Sequence, residues 1–191
     1  MTEATFFLFK AIIDILSVAV LLTFLFRLLK VDYYNPIVQG MTRITDIFTK
    51  VIRSFIKPFF GFDLASLLIV ILLQSLTFYL IFLAGYVKFD LVTMMSWALY
   101  STLLLSLNMI WWSLLLGVLI SWIASSSIHP AIKVVHQMSD KISGPFRMFL
   151  PPMGGIDFSP IFSLLLLQFL HMALRGLSLG SGLPINLSIG Y

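Results

Sequence analysis

Residues 36–63 read PIVQGMTRITDIFTKVIRSFIKPFFGFD, and residues 130–157 read PAIKVVHQMSDKISGPFRMFLPPMGGID. At an offset of 94 with no gap, Pro36 meets Pro130, Asp46 meets Asp140, Arg53 meets Arg147 and Phe55 meets Phe149. Pro58 meets Pro152, Gly61 meets Gly155, Asp63 meets Asp157, and beyond the stretch Gln74 meets Gln168. Eight identities at one offset, none of them leucine, mark a tandem duplication. Within the first stretch, Ile37, Met41, Ile44, Phe48, Val51, Phe55 and Phe59 form an apolar stripe. Gln39, Arg43, Asp46, Lys50, Arg53 and Lys57 form a polar stripe two residues out of phase. That pattern predicts an amphipathic helix, and Asn35-Pro36 supplies a cap followed by proline at the first helical position. In the second copy His129-Pro130 takes that place, and Gly144-Pro145 is expected to break or kink the helix.

Outside the duplicated stretches the chain is almost free of charge. Twenty-four uncharged residues separate Asp63 from Lys88, 42 separate Asp90 from Lys133, and 17 separate Asp157 from Arg175. A crossing of the hydrocarbon core takes about 20 residues. Over all 191 residues, 60% are hydrophobic, 10% are charged, and the mean hydropathy is +1.04. Soluble domains are about 25% charged, so a water-facing surface cannot be covered here. Soluble enzyme and nucleic-acid-binding classes are excluded, and nucleic acid is not an expected partner. Without cysteine, thiolate metal sites and cysteine nucleophiles are excluded as well. The acidic start, Met1-Thr2-Glu3-Ala4, predicts that the first apolar run stays in the membrane rather than being cleaved.

The expected architecture is all-α and integral to the membrane, with four spans in two parallel-topology repeats. The first repeat, 1–94, has spans at about 6–29 and 64–86 and an interfacial helix at about 36–56. The second, 95–191, has spans at about 95–123 and 158–178 and an interfacial helix at about 130–149. The two connections carry Arg27, Lys30, Arg43, Lys50, Arg53, Lys57, Lys133, Lys141 and Arg147, against Lys10, Lys88 and Arg175 opposite. This asymmetry predicts cytoplasmic connections and both termini outside. Arg43, Lys50, Arg53, Lys57, Lys133, Lys141 and Arg147 are expected to face anionic headgroups or a protein partner. A short helix packed on the bundle is the alternative for each connection.

The string Pro151-Pro152-Met153-Gly154-Gly155-Ile156-Asp157-Phe158-Ser159-Pro160, with Asp32-Tyr33-Tyr34-Asn35-Pro36, resembles the YggT family of small bacterial and plastid membrane proteins. The resemblance covers both repeats. It implies a multi-pass protein of the bacterial inner membrane without enzymatic chemistry or cofactor. It also implies links to envelope integrity, osmotic or ion stress, cell division or membrane-complex assembly, and hence a protein partner or homo-oligomer.

Two sets of residues carry the remaining expectations. Pro151-Pro152 and Gly154-Gly155 set an extended exit and a turn, after which Asp157 caps the last span, with Pro160 in its first turn; Asp63 caps its counterpart. The rival role for the paired aspartates is a cation or partner site. Arg53 and Arg147 could pair with them, but headgroup anchoring is the default. Within the spans, Asp14 and Asn108, Gln74 and Gln168, and Thr77 and His171 are repeat mates in the middle to outer bilayer. As glue they would form one central hydrogen-bonded cluster; as a pathway, Asp14 and His171 would relay protons or cations. His129, His136 and His171 lack metal-ligand spacing.

Overall fold

A computed structural model describes residues 3–56, 62–88, 90–123, 128–149 and 157–179. These residues form six helices and no strand: α1 (Glu3–Leu28), α2 (Pro36–Phe55), α3 (Leu64–Leu83), α4 (Leu91–Ile123), α5 (Pro130–Arg147) and α6 (Ser159–Leu179). Of these, α1, α3, α4 and α6 are long and apolar enough to cross a membrane. Lys57, Pro151, Pro152, Gly154 and Gly155 lie outside the described residues.

Both helices of the first hairpin end in the same way. At the end of α1, Val31 N–H donates to the Phe26 carbonyl at 2.8 Å and Lys30 N–H to Arg27 at 3.1 Å, with Lys30 at φ 52°. At the end of α3, Tyr86 and Gly85 repeat this pattern, with Gly85 at φ 80°. This is the Schellman stop, and it calls for a left-handed residue that glycine supplies without strain. Lys30 adopts it at a cost of about 1 kcal/mol.

The α1 helix packs along α3, α3 along α4, and α4 along α6; α2 rests on α1 and α3, and α5 on α4 and α6. One core gathers Val20, Leu21, Phe24 and Leu25 of α1 with Ile69 and Val70 of α3, Leu105 of α4, and Val134 and Met138 of α5. A second, at the far end, joins Phe6, Phe78, Ile81, Trp97 and Ala98. Lipid is as apolar as leucine, so helices associate through close packing of small residues. Ala65, Ser66, Ala98, Ser101, Ser113 and Gly117 are accordingly buried, while Phe7, Ile15, Leu165 and Phe169 face outward. Buried hydroxyls bond the carbonyl one turn back, Thr102 to Ala98 at 2.8 Å and Ser113 to Met109 at 2.7 Å.

Two expectations need correction. Pro145 does not break α5, which runs on to Arg147. Pro145 sits in the last turn, where few following residues depend on the lost bond. And α6 begins at Ser159, so Asp157 stands two residues before it and accepts the Ser159 N–H at 2.9 Å.

Candidate functional site

The clearest constellation lies where the connection helices meet the spans. Asp63 is 1% exposed and caps α3, accepting the Ser66 N–H at 3.3 Å and the Ser66 hydroxyl at 2.7 Å. Its Oδ2 also takes Arg53 Nε at 3.0 Å and an ion pair from Arg27 Nη1. Arg27 Nη2 reaches Asp46 at 3.1 Å, and Arg53 Nη1 pairs with the same carboxylate. Two guanidinium groups and two carboxylates thus close a square that joins the end of α1, the middle and end of α2 and the start of α3. Burial opposes ionisation of Asp63, but the bonds from Ser66 and Arg53 and both arginine charges outweigh it. Its carboxyl is held below the ordinary carboxylate range. Asp46 behaves likewise, with burial outweighed by Arg53 and Arg27.

A carboxylate with a depressed folded-state pKa stabilises the fold above its unfolded value and loses that contribution as pH falls through the folded one. The unfolded value is about 4. Stability in mild detergent should therefore be flat from neutral pH to about 5 and fall below about 4. In Arg27→Gln the fall should be shallower, as read by thermal unfolding across that range.

The second repeat builds a looser counterpart. Arg147 Nε donates to Asp157 at 2.7 Å and its Nη2 to Asp140 at 2.8 Å. Burial is the largest influence on Asp157, but it too is held below the ordinary range, by Ser159 and Arg147. Arg53 and Arg147, expected at headgroups by default, therefore face carboxylates instead. The spacing is the same in both copies: each aspartate lies ten positions after its arginine, just ahead of the following span. Arg27, Asp46 and Asp140 were not among the expected site residues. Asp46 and Asp140 could have been found from their match at the 94-residue offset, but Arg27 could not, because its mate is Ser121.

On α2 the buried row is Val38, Thr42, Thr45 and Thr49, not the apolar stripe. Ile44, Phe48, Val51 and Phe55 of that stripe, with Ile47, face outward. Arg43 and Lys50 are exposed, as are Lys133 and Lys141 on α5. Asn35 caps α2 by accepting the Ile37 N–H at 2.9 Å and donates its amide to the Pro130 carbonyl at 2.9 Å. His129 caps α5 by accepting the Ala131 N–H at 3.2 Å. Pro36 and Pro130 open their helices.

The six intramembrane residues do not share one surrounding. Asp14 pairs with Lys10 at 2.6 Å, one turn back on α1. Thr77 bonds the Leu73 carbonyl of its own helix at 3.3 Å. Gln74 is fully buried, and both of its amide atoms lack hydrogen-bond partners among the described residues. Asn108, Gln168 and His171 line one cavity of about 330 Å³ between α4 and α6, with Trp111, Trp112 and Arg175. Among the described residues, no group of three His, Asp or Glu side chains could hold a metal.

A multi-pass helical membrane protein built from two copies of a hairpin with an intervening helix is the class these features define. The family model described as CCB3/YggT matches residues 2–84 and again residues 96–178, and the chain belongs to that family. A Pseudomonas aeruginosa protein, "Uncharacterized protein PA0392", is 33% identical over 99% of this chain and 98% of its own length. The Escherichia coli "Uncharacterized protein YggT" is 32% identical over 87% of this chain and 86% of its own length. No solved structure matches the chain.

Proposed function

We propose that the protein is a non-enzymatic scaffold of the bacterial inner membrane whose α2 helix lies in the cytoplasmic interface and engages anionic headgroups. The carrying observation is the division of α2 into three sectors. A threonine row packs on the bundle, an apolar row (Ile44, Ile47, Phe48, Val51, Phe55) faces out, and a polar row with Arg43 and Lys50 occupies the rest. At about 100° per residue the outward apolar row lies roughly 135° from each of the other two. A helix beside a bundle and flat in an interface needs this separation, with acyl chains, headgroups and protein each meeting one sector. Lys133 and Lys141 extend the basic surface, and the basic asymmetry supports cytoplasmic connections and outside termini. The settings the family resemblance implies, from envelope integrity to membrane-complex assembly, are those in which such a scaffold acts, alone or with a protein partner. The rival reading, a proton or cation relay, gains little, because Asp14 is paired with Lys10 and does not line the cavity that holds His171.

The chain has no native cysteine, so single cysteines can carry a fluorophore directly. In vesicles with brominated acyl chains, labels at positions 47 and 51 should be quenched strongly and labels at 43 and 50 weakly. Equal quenching at all four positions overturns the interfacial placement. Arg43→Gln with Lys50→Gln should reduce retention of anionic lipid at unchanged fold. Labelling of a cysteine at position 50 or 141 from outside intact cells overturns the orientation.

A further inference from the structure

The two ion clusters occupy equivalent places in the repeats, yet they are not equally complete. In the first copy two carboxylates, Asp46 and Asp63, are balanced by two guanidinium groups, Arg27 and Arg53. In the second, Asp140 and Asp157 share Arg147 alone among the described residues, and Ser121 stands where the first copy has Arg27. The serine donors differ in position but not in kind: Pro160 stands at the place of Ser66, whose N–H and hydroxyl both reach Asp63, and Ser159 bonds Asp157 through its N–H and its side chain instead.

Space accompanies the missing charge. A cavity of about 520 Å³ is lined by Val118, Ser121 and Trp122 of α4, His136, Asp140 and Arg147 of α5, and Asp157 with the start of α6. On its α4 wall, beside Trp122, the smaller Val118 and Ser121 stand in the places of Phe24 and Arg27. The His136 Nε2, on the same wall as Asp140, is buried and has no hydrogen-bond partner among the described residues. The corresponding carboxylates of the first copy hold the Arg27 guanidinium, so the fold itself displays what the arrangement binds.

We propose that the second repeat is a binding site for a guanidinium group supplied from outside the chain, seated between Asp140 and Asp157 in the place that Arg27 fills in the first repeat. A planar guanidinium can bridge two carboxylates with paired hydrogen bonds, as Arg27 does between Asp46 and Asp63. It can also stack on Trp122, which an ammonium ion does less well. The residual carboxylate charge draws the cation in, and the half-exposed mouth, with Asp140 61% exposed, leaves it reachable from water. The site differs from the basic, lipid-facing surface of α2 and does not rest on it.

The test uses the full-length chain in lipid nanodiscs and three probes: N-acetyl-arginine amide, N-acetyl-lysine amide and free guanidinium ion. N-acetyl-arginine amide should raise the unfolding temperature saturably by about 2–4 °C, the shift that corresponds to about 1 kcal/mol for a chain of this size. Ser121→Arg, which restores the missing group in cis, should raise the unfolding temperature without ligand and abolish the response. Asp140→Asn, at an exposed position that folding tolerates, should weaken binding at least tenfold. A response to the arginine amide but not to free guanidinium assigns the group to a polypeptide side chain; equal responses assign it to the guanidinium unit alone. No saturable response in the wild type, an unchanged response in both variants, or equal binding of the lysine amide overturns the proposal.

Discussion

Asp63→Ala should be among the most damaging single substitutions in the chain, costing about 3–5 kcal/mol when buried charge partners are left unpaired. The carboxylate it removes is almost fully buried and takes bonds from Arg27, Arg53 and Ser66 at once. Without it, two guanidinium groups face each other with only Asp46 between them, and α3 loses its cap, which alone is worth about 1 kcal/mol. Asp157→Ala, at the equivalent place, should cost about 1–2 kcal/mol, because that carboxylate is partly exposed and meets one arginine. Denaturation in mixed micelles gives both values. Arg27→Met added to Asp63→Ala should recover part of the loss, since it removes an orphaned cation. Equal losses at 63 and 157 would mean that Arg27 adds nothing to the first cluster.

The second large effect is expected at Gly117. A Cβ built there lies 2.5 Å from Ser139 Oγ and clashes with Ser139 Cβ, while the next neighbour, the Val135 carbonyl, is at an ordinary 3.7 Å. Here α5 comes close against α4, and there is no flexible chain end that could move aside. Gly117→Val should cost about 3 kcal/mol, the upper part of the range for overpacked cores. Ser139→Gly in the same chain should restore most of it, because Ser139 supplies both of the close atoms. Gly40→Ala on α2, with nothing within 4 Å of the new Cβ, is the matched control and should stabilise by about 0.5–1 kcal/mol. A loss at Gly117 that Ser139→Gly leaves untouched would place its cause elsewhere than in this approach.

Helix positions were legible in the sequence because their determinants are local. Span length, Asn35-Pro36 and His129-Pro130 at the helix starts, and Asp63 ahead of Leu64 each act within a few residues. Azimuth was legible only in part. The apolar stripe of α2 turns outward at Ile44, Phe48, Val51 and Phe55, but nothing in the pattern marked Val38, Thr42, Thr45 and Thr49 as the row that packs on the bundle. The ion square was half visible: matching the copies marks Asp46, Arg53 and Asp63 but passes over Arg27, whose approach to the start of α3 is purely tertiary.

The bond from the Asn35 amide to the Pro130 carbonyl crosses from one copy to the other at the start of both connection helices. In an assembly of two identical half-length chains about a two-fold axis, the same asparagine would reach the Pro36 carbonyl of its neighbour, and the neighbour's would reach back. This chain keeps one member of that pair and has a histidine at the position of the other. Within this chain the contact does what a subunit contact does in a dimer: it joins the two copies where their connection helices begin.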